Sequence, residues 1–98
     1  MITRFAPSPT GPLHLGHAFS ALTVWKVTAQ NSGTALLRIE DTDSTRVRPE
    51  HETGIYQDLA WLGLSWPKPV LRQSDHYTDF RTTLDRLAAM DLLYPCSC

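Results

Sequence analysis

Hydrophobic positions along the chain switch between two periods. Residues 2–6 are short and partly apolar and predict a buried strand. From residue 16 to about residue 30, Phe19, Leu22 and Trp25 recur at helical spacing and, with nearby alanines, fit one helix face. Asn31, Ser32 and Gly33 tolerate a left-handed backbone and end that helix. Residues 34–40 read as a second strand. Strand, helix and strand in this order make a βαβ unit, whose strands lie parallel. Residues 41–48 follow neither period and read as a solvated loop. Pro49 suits a first helical turn, Ile55, Leu59 and Leu62 repeat at helical spacing, and Gly63 supplies the stop. A short strand is expected around Val70 and Leu71. Ser74 is placed to cap a last helix carrying Tyr77, Phe80, Leu84 and Leu87. The same spacing assigns Trp25, Trp61, Phe80 and Met90 to the core. The pattern predicts an α/β fold.

Composition narrows the function classes without choosing one. The 98 residues suit one small domain, and 9 Lys plus Arg against 10 Asp plus Glu leave a formal charge of -1. That balance argues against a chain-wide polybasic nucleic-acid binder. With 42% hydrophobic and 19% charged residues the chain reads as globular, not disordered. No apolar run reaches the ~18 residues of a membrane span, and the N-terminus has no apolar signal core. A cytoplasmic protein with no membrane partner is expected. Cys96 and Cys98, the only cysteines, stand one residue apart and are poor partners for a structural disulfide. Residues 92–98 lack the polar tail of a finished domain, so the chain reads as truncated.

The densest chemistry follows the first strand. Pro7, Pro9, Gly11 and Pro12 stiffen a turn, and His14 and His17 follow three residues apart at a helix start. Residues at that spacing share a helix face and can meet one ligand. Gly16 between them lets a bulky group approach the backbone. Helix N-terminal N–H groups attract phosphate, and ligands of open α/β sheets bind beyond the carboxyl ends of strands. The alternative is a pair of satisfied structural imidazoles. Arg38 and Glu40 lie two apart on the second strand and share a face, with Arg4 on the first. Buried charges are costly unless paired, which leaves a ligand site or an internal Arg4–Glu40 ion pair. Asp41 and Asp43 suit Mg²⁺ in type but lack further ligands, so a solvated loop with Arg46 and Arg48 is the expectation. Cys96 and Cys98 offer two soft ligands where structural zinc needs four.

Pro12-Leu13-His14-Leu15-Gly16-His17 resembles the His-x-Gly-His signature of class I aminoacyl-tRNA synthetases. Arg4-Phe5-Ala6-Pro7-Ser8-Pro9-Thr10-Gly11 and Arg38-Ile39-Glu40-Asp41-Thr42-Asp43 resemble the flanking motifs of the glutamyl branch. Thr45-Arg46, Trp61 to Trp66 and Tyr94-Pro95-Cys96-Ser97-Cys98 continue the match in order.

The resemblance implies the N-terminal portion, residues 1–98, of a Rossmann-like catalytic domain, with residues 92–98 opening a zinc-binding insertion. It implies that the α-carboxylate of L-glutamate attacks the α-phosphate of ATP, accompanied by Mg²⁺. His14, Gly16 and His17 would then hold ATP, with both histidines stabilising the transition state. Arg4, Ala6, Ser8 and Glu40 would line the glutamate pocket, Arg4 on the side-chain carboxylate and Glu40 on the ammonium. Cys96 and Cys98 would share Zn²⁺ with ligands further along.

Two branches of the family share these motifs. One esterifies the 3′ end of tRNA; a shorter one, expected to be monomeric, transfers glutamate to queuosine in the anticodon of tRNA(Asp). Phe19-Ser20 and the Pro95-Cys96-Ser97-Cys98 ending resemble the second branch more closely. The family's second signature, a Lys-Met-Ser-Lys loop, is absent from these residues, which keeps an inert ATP- or RNA-binding fragment as a further alternative.

Overall fold

The computed structural model describes residues 1–97. Three strands, β1 (Ile2–Phe5), β2 (Thr34–Ile39) and β3 (Leu71–Arg72), form one parallel sheet in the order β1-β2-β3. Helix α1 (Leu15–Gln30) joins β1 to β2, and α2 (Pro49–Trp61) joins β2 to β3. A 3₁₀ turn, Gln73–His76, then leads into α3 (Tyr77–Ala89). The α/β class and parallel strands match the expectation. Ile2 pairs with Thr34 and Phe5 with Leu37, so β2 runs on past the end of β1. Arg38 and Ile39 in that overhang pair with Leu71 and Arg72 of β3.

Alternation along β2 divides the sheet into two unlike faces. Ala35, Leu37 and Ile39 are buried, whereas Leu36 and Arg38 turn to the more open side. Leu37 and Ile39 join Phe5, Ala21 of α1, and Ile55 and Leu59 of α2 in one core. Both crossover helices therefore cover the same face. Leu59 and Ile39 are fully enclosed, and burial of such a side chain stabilises by about 1.5–3 kcal/mol. The Ile55 and Leu59 spacing thus reads correctly, and α2 ends at Trp61 with Gly63, whose φ of 78° suits glycine, just past its cap.

Several apolar assignments change. The face of α1 that meets the sheet carries Ala21, Trp25 and Thr28, while Phe19 is 73% exposed. Small residues win there because the helix lies close to β1, where the Thr28 and Thr3 hydroxyls hydrogen-bond each other. Trp25 is partly buried against the core, and its indole N–H donates to the Ser65 carbonyl at 2.7 Å. Trp61 and Met90 are not core residues: they are 86% and 64% exposed. Trp61 ends α2, beyond the Ile55 and Leu59 stripe. Tyr77, Phe80 and Leu84 of α3 are also exposed, because no described layer packs on that stripe.

Ser74 does not cap α3. It lies one turn earlier, inside the 3₁₀ turn, and its hydroxyl donates to Asp41. Asp41 consequently departs from the solvated-loop expectation and is buried, although most of residues 42–48 are exposed.

Candidate functional site

The proline-rich turn after β1 is rigid because its carbonyls are spent on neighbouring segments. Pro7 O accepts from Glu40 N at 3.0 Å and Pro9 O from Arg48 N at 3.2 Å. Pro9 is fully buried. The turn is thereby tied both to the exit of β2 and to the entry of α2. Beyond the carboxyl end of β1 it borders an open cleft of about 440 Å³, within the size range of small-molecule sites. Ala6, Ser8, Thr10, Gly11 and His17 line it, and Arg46 reaches it from the 41–48 loop.

His14 and His17 hold one another at the start of α1. His14 is the N-cap residue, and its Nδ1 accepts the Gly16 N–H at 3.1 Å. His17 Nδ1 accepts the His14 N–H at 3.1 Å, completing a reciprocal capping box made from two imidazoles. The rings lie 3.9 Å apart between centroids. With each Nδ1 accepting, the proton of each neutral ring belongs on Nε2, so both side chains offer an N–H donor. Burial, with His14 alongside, lowers the pKa of His17 and favours that neutral form.

A Cβ on Gly16 would come within 2.9 Å of the His14 ring. The group that needs close approach at Gly16 is therefore the capping imidazole itself.

Arg4 lies on the open face with Leu36, Arg38 and Leu71, around a smaller concavity of about 210 Å³. Its side chain is exposed and makes no hydrogen bond or ion pair among the described residues. The alternative Arg4–Glu40 ion pair does not form. Instead Arg38 Nη2 donates to Glu40 Oε1 at 2.5 Å, with both side chains one-third exposed. The turn therefore gathers Ala6, Ser8 and His17 at one cavity, with Glu40 bonded to it through the backbone. His14 and Gly16 stand at the adjoining helix start, and Arg4 lies on the sheet face below.

Asp41 anchors a separate network. Its carboxylate accepts Ser74 N–H at 2.8 Å and Ser74 Oγ–H at 2.5 Å, with Arg72 Nη2 at 3.6 Å. Arg72 also donates to Glu52 at 2.9 Å, and Glu52 accepts the Tyr56 hydroxyl at 2.8 Å. Burial pushes the Asp41 carboxyl up, but the Ser74 donors and Arg72 outweigh it and hold it below its ordinary range. Burial and the Glu52 acceptor push the Tyr56 phenol up. In the exposed loop, Thr45 donates to Asp43 from its hydroxyl and its N–H, which lowers the Asp43 carboxyl.

The cavity position of Arg46 and the ties of Asp41 to Ser74 were not read from the sequence. Both depend on how the 41–48 loop folds back, and no period marks that fold.

Metal sites gain little support. Among the described residues no three His, Cys, Asp or Glu side chains gather as a metal cluster. Cys96 is exposed, and Cys98 lies outside the described residues. The described residues do not complete a zinc site. No helix among them is long and apolar enough to cross a membrane.

Comparison with known proteins converges on one family. The model of the class I tRNA synthetase (E and Q) catalytic domain matches residues 1–98. The chain is 53% identical to the glutamyl-Q tRNA(Asp) synthetase of Rhodobacter capsulatus, over all of the chain and 35% of that protein. It is 50% identical over 93 residues to glutamate–tRNA ligase 2 of Acidiphilium cryptum, covering 95% of the chain and 21% of the ligase. The solved glutamate-tRNA synthetase of Elizabethkingia anophelis superposes with a TM-score of 0.82 at 36% identity, over 90% of this chain and 19% of that one. The chain thus spans about a third or less of these relatives' lengths. Sequence match and superposition agree with the order of motifs along the chain, which belongs to the class I glutamyl and glutaminyl tRNA synthetase family, within its catalytic domain.

Proposed function

We propose that the protein containing this chain activates L-glutamate with ATP and transfers it to queuosine in the anticodon of tRNA(Asp). The observation that carries the activation step is the pair of mutually capped histidines at the start of α1, of which His17 lines the cavity beyond β1. In this reading ATP lies along the start of α1, where the two Nε2–H groups and the helix N-terminus meet phosphate oxygens. An oxygen of the glutamate α-carboxylate forms a bond to the α-phosphorus as the bond to the pyrophosphate oxygen breaks. The histidines donate to the charge that grows on the phosphate and remain protonated on Nε2 throughout. Mg²⁺ travels with ATP, held by phosphates and water. Ala6, Ser8 and Glu40 line the amino-acid side, Glu40 taking the ammonium, and the unpaired Arg4 clamps the side-chain carboxylate.

The 53% identity to a glutamyl-Q tRNA(Asp) synthetase favours queuosine as acceptor. The 50% identity to a glutamate–tRNA ligase supports a second reading, esterification of the tRNA 3′ end. Exchange of labelled pyrophosphate into ATP, followed by transfer of labelled glutamate to tRNA, separates them in the full-length protein. Glutamate-dependent exchange without tRNA, with label recovered on the tRNA(Asp) anticodon, is the expected outcome. Exchange only with tRNA present, with label at the 3′ end, selects the ligase. No exchange under either condition overturns both. Zinc in the full-length protein, held in part by Cys96 and Cys98, is tested by metal analysis with and without Cys96→Ser.

A further inference from the structure

The Arg38–Glu40 contact carries a role that the motif resemblance leaves unassigned. Arg38 stands on the overhang of β2 beyond the last β1 pair, Phe5 with Leu37, and Glu40 follows directly after the strand's last residue, Ile39. The Glu40 N–H is fixed to Pro7 O, which sets its backbone against the cavity turn. Arg38 holds one Glu40 oxygen, Oε1, at 2.5 Å, and Oε2 makes no hydrogen bond among the described residues. The Arg38 backbone is paired in register with Leu71, and its side-chain Nε is shielded from solvent without a hydrogen-bond partner among the described residues. Arg4, the other cation on this face, pairs with Leu36 in the register and does not reach Glu40.

A carboxylate held at one oxygen keeps a defined orientation and still has lone pairs for a second cation. Without Arg38, the Glu40 side chain gains rotamer freedom that ligand binding must then remove.

We propose that Arg38 is a positioning residue that acts through Glu40, aiming the free Oε2 at the substrate ammonium without touching substrate. This rests on the glutamate reading of the pocket given above. It makes a specific demand: Arg38 matters for ligands that carry the ammonium and is indifferent to those that lack it.

The test compares L-glutamate with L-2-hydroxyglutarate, which keeps both carboxylates and replaces the ammonium with a hydroxyl. In full-length protein, Arg38→Met is expected to raise the glutamate KM in pyrophosphate exchange about tenfold, the scale of one charge-assisted contact. The ATP KM and the inhibition constant of L-2-hydroxyglutarate should stay within about twofold. Arg38→Lys, which can still reach Glu40 but lacks the planar fork, should recover part of the loss. In a Glu40→Gln background, Arg38→Met should add nothing further. Both ligands are read on one preparation, so a reduced folded fraction lowers kcat without altering KM or the inhibition constant. Equal weakening of both ligands would overturn the proposal by putting Arg38 on a substrate carboxylate. An unchanged glutamate KM would overturn it by making the pair purely structural. If the parent protein shows no glutamate-dependent exchange, the pocket reading falls and this inference with it.

Discussion

Glu40 and Asp41 are adjacent carboxylates at the end of one strand, and the fold treats them in opposite ways. Glu40 stays on the open face, one-third exposed, with a single partner and an oxygen to spare. Asp41 turns inward, is buried, and accepts two hydrogen bonds from Ser74 with Arg72 nearby. The alternation of β2 carries on past its last residue, Ile39: Glu40 follows Arg38 on the open side and Asp41 follows Ile39 inward. The satisfied carboxylate ties β2 to β3 and the turn before α3. The unsatisfied one stands where a ligand can still bind. The same contrast holds between Arg72, shared by Asp41 and Glu52, and Arg4, which has no partner among the described residues.

If that contrast is right, substitutions on the two sides should separate binding from stability. The largest effect belongs to the histidines. Removing either Nε2–H by His14→Ala or His17→Ala should lower exchange about 10²–10³-fold, the cost of losing a transition-state donor. Next, Arg4→Leu should raise the glutamate KM roughly 30–100-fold and leave the ATP KM within twofold, since a lost carboxylate clamp affects one substrate. On the buried side, Ser74→Ala should cost about 2 kcal/mol in urea unfolding of the full-length protein with little change in either KM. That loss depends on pH. The folded Asp41 pKa lies below its ordinary 3.8, so its stabilisation is complete above that value and fades as pH falls through the folded pKa. Ser74→Ala should therefore shift acid unfolding to higher pH. The smallest effect is expected from Gly16→Ala, whose Cβ would displace the His14 ring. Exchange should fall by about fivefold while helix propensity keeps thermal stability level or slightly higher.

Much of the scaffold was legible in the chain. Period and punctuation located β1, α1, β2 and α2, because one buried face leaves a strong signal at Leu37, Ile39, Ile55 and Leu59. The same rule misassigned Phe19, Trp61 and Met90. Size and hydrophobicity suggest burial, yet burial also requires a facing layer, and none of the described elements provides one. The histidine pair was visible from its spacing, but not that each imidazole caps the helix for the other. That depends on the tautomer and ring orientation, which spacing does not encode. Ser74 was recognised as a capping type and matched to the wrong acceptor. Its partner Asp41 is distant in sequence and meets it only when β3 aligns beside β2. The Arg38–Glu40 pair was half legible: a shared strand face follows from their spacing, whereas the choice of Arg38 over Arg4 depends on β1 ending at Phe5.

The comparison between the two carboxylates is tested most directly by making the same change at each. Glu40→Gln and Asp41→Asn both remove one charge and keep the side-chain shape. In the full-length protein, glutamate KM from pyrophosphate exchange and Tm should be measured for the two variants side by side. Glu40→Gln should raise the glutamate KM at least tenfold and move Tm by no more than about 1 °C. Asp41→Asn should lower Tm by about 4–8 °C and leave the glutamate KM within twofold. A glutamate KM unchanged in Glu40→Gln, or raised equally in both variants, would contradict the account.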